Sequence, residues 1–180
     1  MMATALPMPA STVASVANEF LSLAAAEPSF PPIDQMKLQK LLFYAHAWHL
    51  AYGKGPLFEN DFEAWPWGPV IRDVYLQTKS YGRGRVTAPI TELSLDDGAA
   101  NVRAPTGVAT AALRDFIKNV WDTLKVYDGI QLSNSTHAPG EPWTVVSEKQ
   151  GTANKPFIPN ELIRQVFAKK LEKNAENPAA

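Results

Sequence analysis

Residues 36–75 decide how this chain folds, and they read MKLQKLLFYAHAWHLAYGKGPLFENDFEAWPWGPVIRDVY. The first half has the spacing of a helix with two apolar faces, formed by Leu38, Leu41, Leu42, Ala45, His49 and Tyr52 and by Met36, Phe43, Ala47 and Leu50. A helix that is apolar on most sides packs against several neighbours. The sequence therefore predicts a central helix from Asp34, which can cap it, to Tyr52, with Gly53 just after its end.

The second half of the stretch is an aromatic, proline-rich corner, Trp65-Pro66-Trp67-Gly68-Pro69. Residues 58–65 are predicted to be a short extended segment, and each residue before a proline in the corner is restricted toward extended geometry. Proline suits the first position of a helix, where its missing N–H would have no partner. The sequence therefore predicts a helix that begins at Pro69 and ends near Gly82.

Outside this stretch the chain is predicted to be mostly helical. The helical period is lost between Arg83 and Pro105, where Asp97-Gly98 predicts a β-hairpin. Apolar periodicity and capping residues predict helices at residues 12–26 (capped by Ser11), 106–125 (capped by Thr106), 128–135, 141–149 and 160–171. We therefore expect a mainly α (α+β) fold, a single helical domain built around one central apolar helix, with a small β-hairpin or extended insertion.

Length and composition narrow the classes of function. The chain has 180 residues, no cysteine and a formal net charge of −1. We expect a flexible lead at residues 1–10, one domain at residues 11–172 and a flexible tail at residues 173–180. The lack of cysteine excludes a disulfide framework, a thiolate metal site and a cysteine nucleophile.

The start of the chain, its apolar runs and its net charge indicate where the protein is located and what kind of partner it binds. The start of the chain lacks the features of a signal peptide, and no apolar run approaches the ~20 residues that span a bilayer. We therefore expect a soluble, cytoplasmic protein without a membrane partner. A net charge near zero, without a dense basic patch, argues against nucleic acid as a partner.

No catalytic or metal-binding pattern stands out. His46 and His49 lie three residues apart on the predicted central helix, but the sole other histidine is His137, and there is no H-E-x-x-H. The nucleophile motif G-x-S-x-G is absent. Asp128, Ser133 and His137 are close in sequence, which is not the same as triad geometry. We expect no enzyme activity, no metal and no cofactor.

Several short motifs of this chain resemble one family. They are Met36-Lys37-Leu38-Gln39-Lys40-Leu41-Leu42-Phe43-Tyr44, Trp48-His49-Leu50, Pro56-Leu57-Phe58, Glu63-Ala64-Trp65, Gly68-Pro69-Val70, Leu132-Ser133, Thr136-His137, Pro142-Trp143, Ile158-Pro159 and Leu162-Ile163. In combination they resemble the Panacea domain of SocA-like antitoxins, which are related to phage-associated GepA-like proteins. The resemblance extends from about Val13 to Leu171. One departure is Pro66-Trp67, where the family more often has a basic or polar residue followed by an aromatic one.

The resemblance implies a mostly helical domain that neutralises a protein toxin encoded beside it. The contact would be direct. The antitoxin would then either block the toxin or act as an adaptor that holds it for degradation by a cellular AAA+ protease. The resemblance brings no catalytic residues and does not identify the toxin. The alternative function is a DNA-binding transcriptional regulator of its own operon.

Two sets of residues are predicted to form the site. The partner-binding set combines the polar strip of the central helix with neighbouring residues, and consists of Lys37, Lys40, Tyr44, Trp67, Arg72 and Tyr81. The alternative is that Lys37 and Lys40 are merely solvated and Tyr44 fills a gap. The structural set consists of Trp65, Gly68, Pro69, His137 and Trp143. The aromatic corner is either a packed corner or a rigid contact surface, and it is both if one tryptophan faces in and the other out.

Overall fold

The computed structural model describes residues 8–96 and 98–176. In chain order the elements are α1 (Val13–Ala26), α2 (Gln35–Ala51), β1 (Phe62–Trp65), β2 (Gly68–Val70), α3 (Arg72–Thr78), a 3₁₀ turn (Lys79–Tyr81), β3 (Glu92–Asp96), β4 (Ala99–Arg103), α4 (Ala111–Leu124), α5 (Gly129–Thr136), α6 (Pro142–Gln150), β5 (Phe157–Ile158) and α7 (Asn160–Glu176). Every helix in this part of the chain is too short or too polar to span a lipid bilayer.

Helix α2 is the centre of the fold. The Asp34 carboxylate accepts a hydrogen bond from the Lys37 backbone N–H at 2.7 Å and so caps the first turn, as predicted. The helix packs against α1, α3, α4, α5, α7 and β2. Most of its apolar side chains on both faces are buried, whereas Met36 is partly buried and Tyr52 after its end is exposed. The expectation of a mainly helical domain around one central helix, with a small β component, is confirmed.

Two small antiparallel sheets accompany the helices. One has the strand order β2-β1-β5 and turns Phe62, Ala64 and Ile158 into the core. The other is the predicted hairpin of β3 and β4, with Leu93 opposite Val102. Of the predicted turn, Gly98 has a φ of 79°, whereas Asp97 lies outside the described residues.

The helix predicted to begin at Pro69 begins instead at Arg72, so that prediction is wrong. Pro66 and Trp67 form a two-residue turn, because Trp65 pairs with Gly68 across the ladder. The chain therefore reverses, and Pro69 lies in β2 opposite Ala64. Since β2 is at the edge of its sheet, a residue without an N–H is tolerated there.

Helix α4 also begins later than the sequence predicted. Its cap is Thr110, which accepts from the Leu113 N–H, and not Thr106. Gly107 has a φ of 155° and lies against the Glu19 carboxylate, which accepts from the Val108 N–H at 3.1 Å. This contact with α1 keeps the preceding segment extended, a long-range effect that helical periodicity does not register.

The ends of the chain extend the regular structure slightly. Helix α1 is capped by Thr12, one residue after the predicted Ser11, and α7 continues to Glu176, into the segment predicted to be a tail. Residues 1–7 of the predicted lead and residues 177–180 of the predicted tail lie outside the described residues.

Asn18 of α1 holds both ends of the insertion that contains the hairpin. This buried side chain accepts from the Ile90 N–H at 2.7 Å and donates to the carbonyls of Ile90 and Pro105 at 2.9 and 2.7 Å. Replacement by an apolar residue would leave three backbone groups without these partners. A buried polar group left unpaired costs about 1–3 kcal/mol.

We therefore expect Asn18→Leu to lower the free energy of unfolding in urea by about 2–4 kcal/mol. The matched control is Asn119→Leu on the exposed side of α4, which should change it by less than about 0.5 kcal/mol. Equal stability of the two variants would mean that Asn18 does not anchor the insertion.

Candidate functional site

Side chains from α5 and α6 bind the backbone of the turn at residues 65–69. Trp143 Nε1 donates to the Trp65 carbonyl at 2.8 Å, and Ser133 Oγ donates to the Trp67 carbonyl at 2.7 Å. Between them, His137 Nε2 lies 3.3 Å from the Pro66 carbonyl. Two of three consecutive carbonyl groups thus accept hydrogen bonds from side chains, and the third faces a ring nitrogen of His137. The turn is positioned by residues that follow it by 66 to 78 positions in the chain.

His137 faces a carbonyl oxygen with each ring nitrogen. Nδ1 lies 2.7 Å from the Ser133 carbonyl, and Nε2 lies against the turn. A neutral imidazole donates to one of them only, and the shorter distance favours Nδ1–H. A protonated ring would donate to both. In either form the ring lies between α5 and the turn, and it packs on Trp143 with the ring centroids 3.9 Å apart.

Lys40 supports the same turn from inside the protein. Its Nζ donates to the Pro69 carbonyl at 3.0 Å, and its side chain is fully buried. Burial without a facing carboxylate lowers the pKa of Lys40 to about 7. Gly68 leaves room for this lysine. A Cβ at Gly68 would lie 2.7 Å from Thr136 Oγ1 and 2.9 Å from Lys40 Cε.

Lys37 is buried as well, one turn earlier on α2. Its Nζ donates to the carbonyls of Pro31 and Lys125 at 2.8 and 2.9 Å and lies over the Trp121 ring. Burial lowers its pKa to about 8, although the nearby carboxylates of Asp34 and Asp128 favour the charged form. Lys37 therefore ties the end of α4 and the proline connector to the central helix.

The predicted polar strip of the central helix is therefore not a solvent-exposed surface. Lys37 and Lys40 lie in the interior, and both the expectation that a partner reaches them and the alternative of two solvated lysines are wrong for this structure. Tyr44 is half-buried, with its hydroxyl 2.5 Å from Ser135 Oγ, and burial raises its pKa to about 12. Periodicity showed that the three share a strip, but not that backbone carbonyls would bind the two lysines.

The other three predicted binding residues do not form one cluster. Trp67 at the tip of the turn is 71% exposed. Arg72 is half-exposed and makes a bidentate ion pair with Glu63 at 2.9–3.0 Å. Tyr81 lies nine residues further along, and its hydroxyl accepts from the Ala88 N–H at the base of the insertion. Trp67 lies in the turn before β2 and Arg72 lies two residues after that strand, whereas Tyr81 lies against the base of the insertion.

The outer face of the three-stranded sheet adds residues that the sequence did not reveal. Trp65 Nε1 donates to the Glu63 carboxylate at 2.6 Å. Arg72 Cζ and Lys155 Nζ lie 5.6 and 4.0 Å from the centroid of the Trp65 ring. Phe157 of β5 is exposed opposite Glu63. Sequence analysis did not identify Lys155 or Phe157 as site residues, because a strand of two residues has no period to recognise.

Helix α5 contributes one further exposed apolar residue beside the turn. Ile130 precedes Ser133 by one turn, so it lies on the side of α5 that holds Trp67. We define the turn surface as Trp67, Arg72, Ile130, Lys155 and Phe157. It combines exposed apolar side chains with two cations, and its Trp, Phe and Arg are residue types enriched in protein interfaces.

The histidines of α2 have structural partners. His46 Nδ1 accepts from the Leu57 N–H and Nε2 donates to Asn160 Oδ1 at 2.9 Å, and burial lowers its pKa to about 4. His49 donates from Nδ1 to the Gly55 carbonyl at 2.7 Å, and burial lowers its pKa too. Within residues 8–96 and 98–176, no group of histidine and carboxylate side chains could hold a metal ion.

Asp128, Ser133 and His137 do not adopt triad geometry. Asp128 caps α5 by accepting from the Gln131 N–H at 2.8 Å. Ser133 Oγ donates to the turn, and His137 faces the Ser133 carbonyl instead of its hydroxyl. All three side chains thus hold structure in place.

The fold and the site define a mainly helical domain that presents a rigid aromatic turn. Residues 38–144 match the family described as antitoxin SocA-like, Panacea domain. The chain is 32% identical over 138 residues to Antitoxin SocA of Caulobacter vibrioides (strain NA1000 / CB15N), which covers 77% of this chain and 71% of that protein. No solved structure matches. The chain therefore belongs to the SocA-like antitoxin family with a Panacea domain, as the motifs indicated.

The first prediction from this site concerns Lys40 and pH. Since the folded protein disfavours the charged lysine, stability should rise with pH between about 7, the folded pKa, and 10.5, the unfolded value, at up to about 1.4 kcal/mol per pH unit. Lys40→Met should remove this contribution. Urea unfolding at pH 7, 8, 9 and 10 measures it, with the exposed Lys149→Met as control. Parallel pH profiles for both variants would show that Lys40 stays charged when folded.

The second prediction concerns the space beneath the turn. Gly68→Ala combines a positive φ of 103° with the clash against Thr136 and Lys40, so we expect a loss of about 2–4 kcal/mol of stability. Gly82→Ala is the matched control, because Gly82 has a φ of 56° and open space around it, and should cost about 1 kcal/mol. Thermal unfolding compares the two, and equal losses would contradict the close packing at Gly68.

Proposed function

We propose that this chain neutralises a cognate protein toxin by direct contact, and that the turn surface makes the contact. Membership of an antitoxin family supports a toxin partner. We choose this surface because Trp67 is exposed on a fixed turn. Ser133 and Trp143 bind backbone carbonyls of that turn. A backbone that is fixed before binding loses little conformational entropy on binding, and tryptophan is enriched among the residues that dominate binding energy.

Arg72 and Lys155 give the turn surface its charge preference. Arg72 is already paired with Glu63, which fixes the guanidinium, while Lys155 makes no ion pair among the described residues. A carboxylate on the toxin could approach both cations beside the Trp65 ring. In this proposal Lys40 acts from inside, by positioning the turn, and does not touch the toxin.

Direct contact is compatible with two outcomes for the toxin. The antitoxin can cover the working surface of the toxin, or it can hold the toxin for a AAA+ protease. We expect either to take place in the cytoplasm. The alternative of a DNA-binding regulator has less support, because the two lysines of α2 are buried and cannot reach a phosphate backbone.

The contact is tested by co-expression with the product of the adjacent open reading frame. Trp67→Ala keeps the backbone carbonyl that Ser133 binds, so the turn should fold normally. We expect the variant to bind the toxin at least about tenfold more weakly and to lose growth rescue, with an unchanged melting temperature. The control is Tyr52→Ala, an aromatic residue exposed at the other end of the domain core, which should bind and rescue like the native protein.

The results show separately whether the toxin binds this protein and which surface it binds. If the adjacent product is harmless alone or does not co-purify with the native protein, the antitoxin proposal fails. If Tyr52→Ala loses binding while Trp67→Ala does not, the toxin binds elsewhere. The abundance of toxin after induction of the antitoxin distinguishes the two outcomes, because a blocker leaves the toxin level unchanged or higher and an adaptor lowers it.

A further inference from the structure

The hairpin presents an apolar face that the described part of the chain leaves uncovered. Cross-strand pairing places Leu93 opposite Val102 and Leu95 opposite Ala100 on one face. Leu93, Leu95 and Val102 are 76%, 80% and 70% exposed. A two-stranded hairpin is only marginally stable in water, and neighbouring exposed apolar side chains are a mark of an interaction site. This face is therefore a candidate binding site.

A groove of about 940 Å³ runs beside this face, between the hairpin, α3 and the start of α1. Leu76 of α3 and Val13 of α1 line it together with Leu93 and Val102. Helix α3 contributes residues to both the groove and the turn surface. Its residue Arg72 contacts the Trp65 ring, whereas Asp73 and Leu76 line the groove.

The base of the groove is held in place. The Gln77 side chain accepts from the Thr91 N–H at 2.9 Å and donates to the Thr91 carbonyl at 3.0 Å. The neighbouring residue Ile90 is bound by Asn18 of α1. The start of the hairpin is therefore fixed to two helices, so the groove does not need to be assembled when a partner arrives.

The charged residues of the groove indicate which side chains a partner should carry. Glu59, Asp73 and Glu92 line it, against one cation, Arg103, which is paired with Glu92 at 2.8 Å. An apolar floor with an acidic rim complements apolar side chains flanked by Lys or Arg. A second copy of this chain would bring the same acidic rim to a symmetric contact, where like charges repel each other.

We propose that this groove is a second docking site, which takes a basic amphipathic segment of the cognate toxin. Apolar side chains of that segment contact Leu76, Leu93 and Val102, and its Lys or Arg side chains face Glu59 and Asp73. The proposal rests on the antitoxin function proposed above and adds a second contact, which shares α3 with the turn surface. Two contacts on one rigid helix strengthen each other, because the first raises the effective concentration of the second.

The test measures the affinity of purified toxin, the product of the adjacent open reading frame, for two groove variants. Leu76→Asp places a charge on the apolar floor, and Asp73→Lys reverses the rim charge. The matched controls are Tyr52→Asp, which alters a residue of similar exposure, and Asp115→Lys, which changes the net charge equally on exposed α4. We expect each groove variant to weaken binding at least about tenfold and the controls to bind normally. For Asp73→Lys, the loss should shrink as salt is added.

Hydrogen exchange of the native protein provides a measurement that does not depend on folding of the variants. Addition of toxin should slow exchange in β3, β4 and α3. If the groove variants bind like the native protein and these elements gain no protection, the groove is not a toxin site, although weaker binding by Trp67→Ala would still support the proposed function. If light scattering shows that the native protein self-associates through the groove, a second copy is the occupant and the proposal is wrong. If the native protein does not bind the toxin, both proposals fail.

Discussion

The structure depends on hydrogen bonds that side chains donate to the backbone of one turn, residues 65–69. Two of these five residues are prolines, which offer no N–H, so the turn has carbonyls to satisfy and few donors of its own. Ser133, Trp143 and the buried Lys40 supply donors from three different helices. These contacts hold α5 and α6 against the small sheet and α2 beneath it.

Buried lysines are a costly way to hold a turn, and this chain has two of them on its central helix. Desolvation of an ammonium group is unfavourable, which is why the pKa of Lys40 falls to about 7. Each lysine nevertheless reaches carbonyls that an apolar side chain could not bind, on the turn or on the connector before α2 and the end of α4. Such polar contacts favour one arrangement of these segments over other packings of similar apolar content.

Helix α3 contributes to two exposed regions of different chemistry. Arg72 lies by Trp65 in a surface that combines aromatic rings and cations. Asp73 and Leu76 border a groove with an apolar floor and an acidic rim. Because both regions include residues of one short helix, they lie close together. A protein that is nearly neutral as a whole can therefore present surfaces of opposite preference to one partner.

The sequence by itself determined the central helix, its Asp34 cap, the helix that became α6, predicted at residues 141–149, and the hairpin, because capping and apolar periodicity are local properties. Its motifs also indicated the family. Only the tertiary structure decided that Pro69 lies in a strand and that the lysines of α2 are buried. Those outcomes follow from distant partners, since the strand needs β1 opposite and the lysines need carbonyls up to 88 positions away. Periodicity assigns a side chain to a face, and packing decides what covers that face.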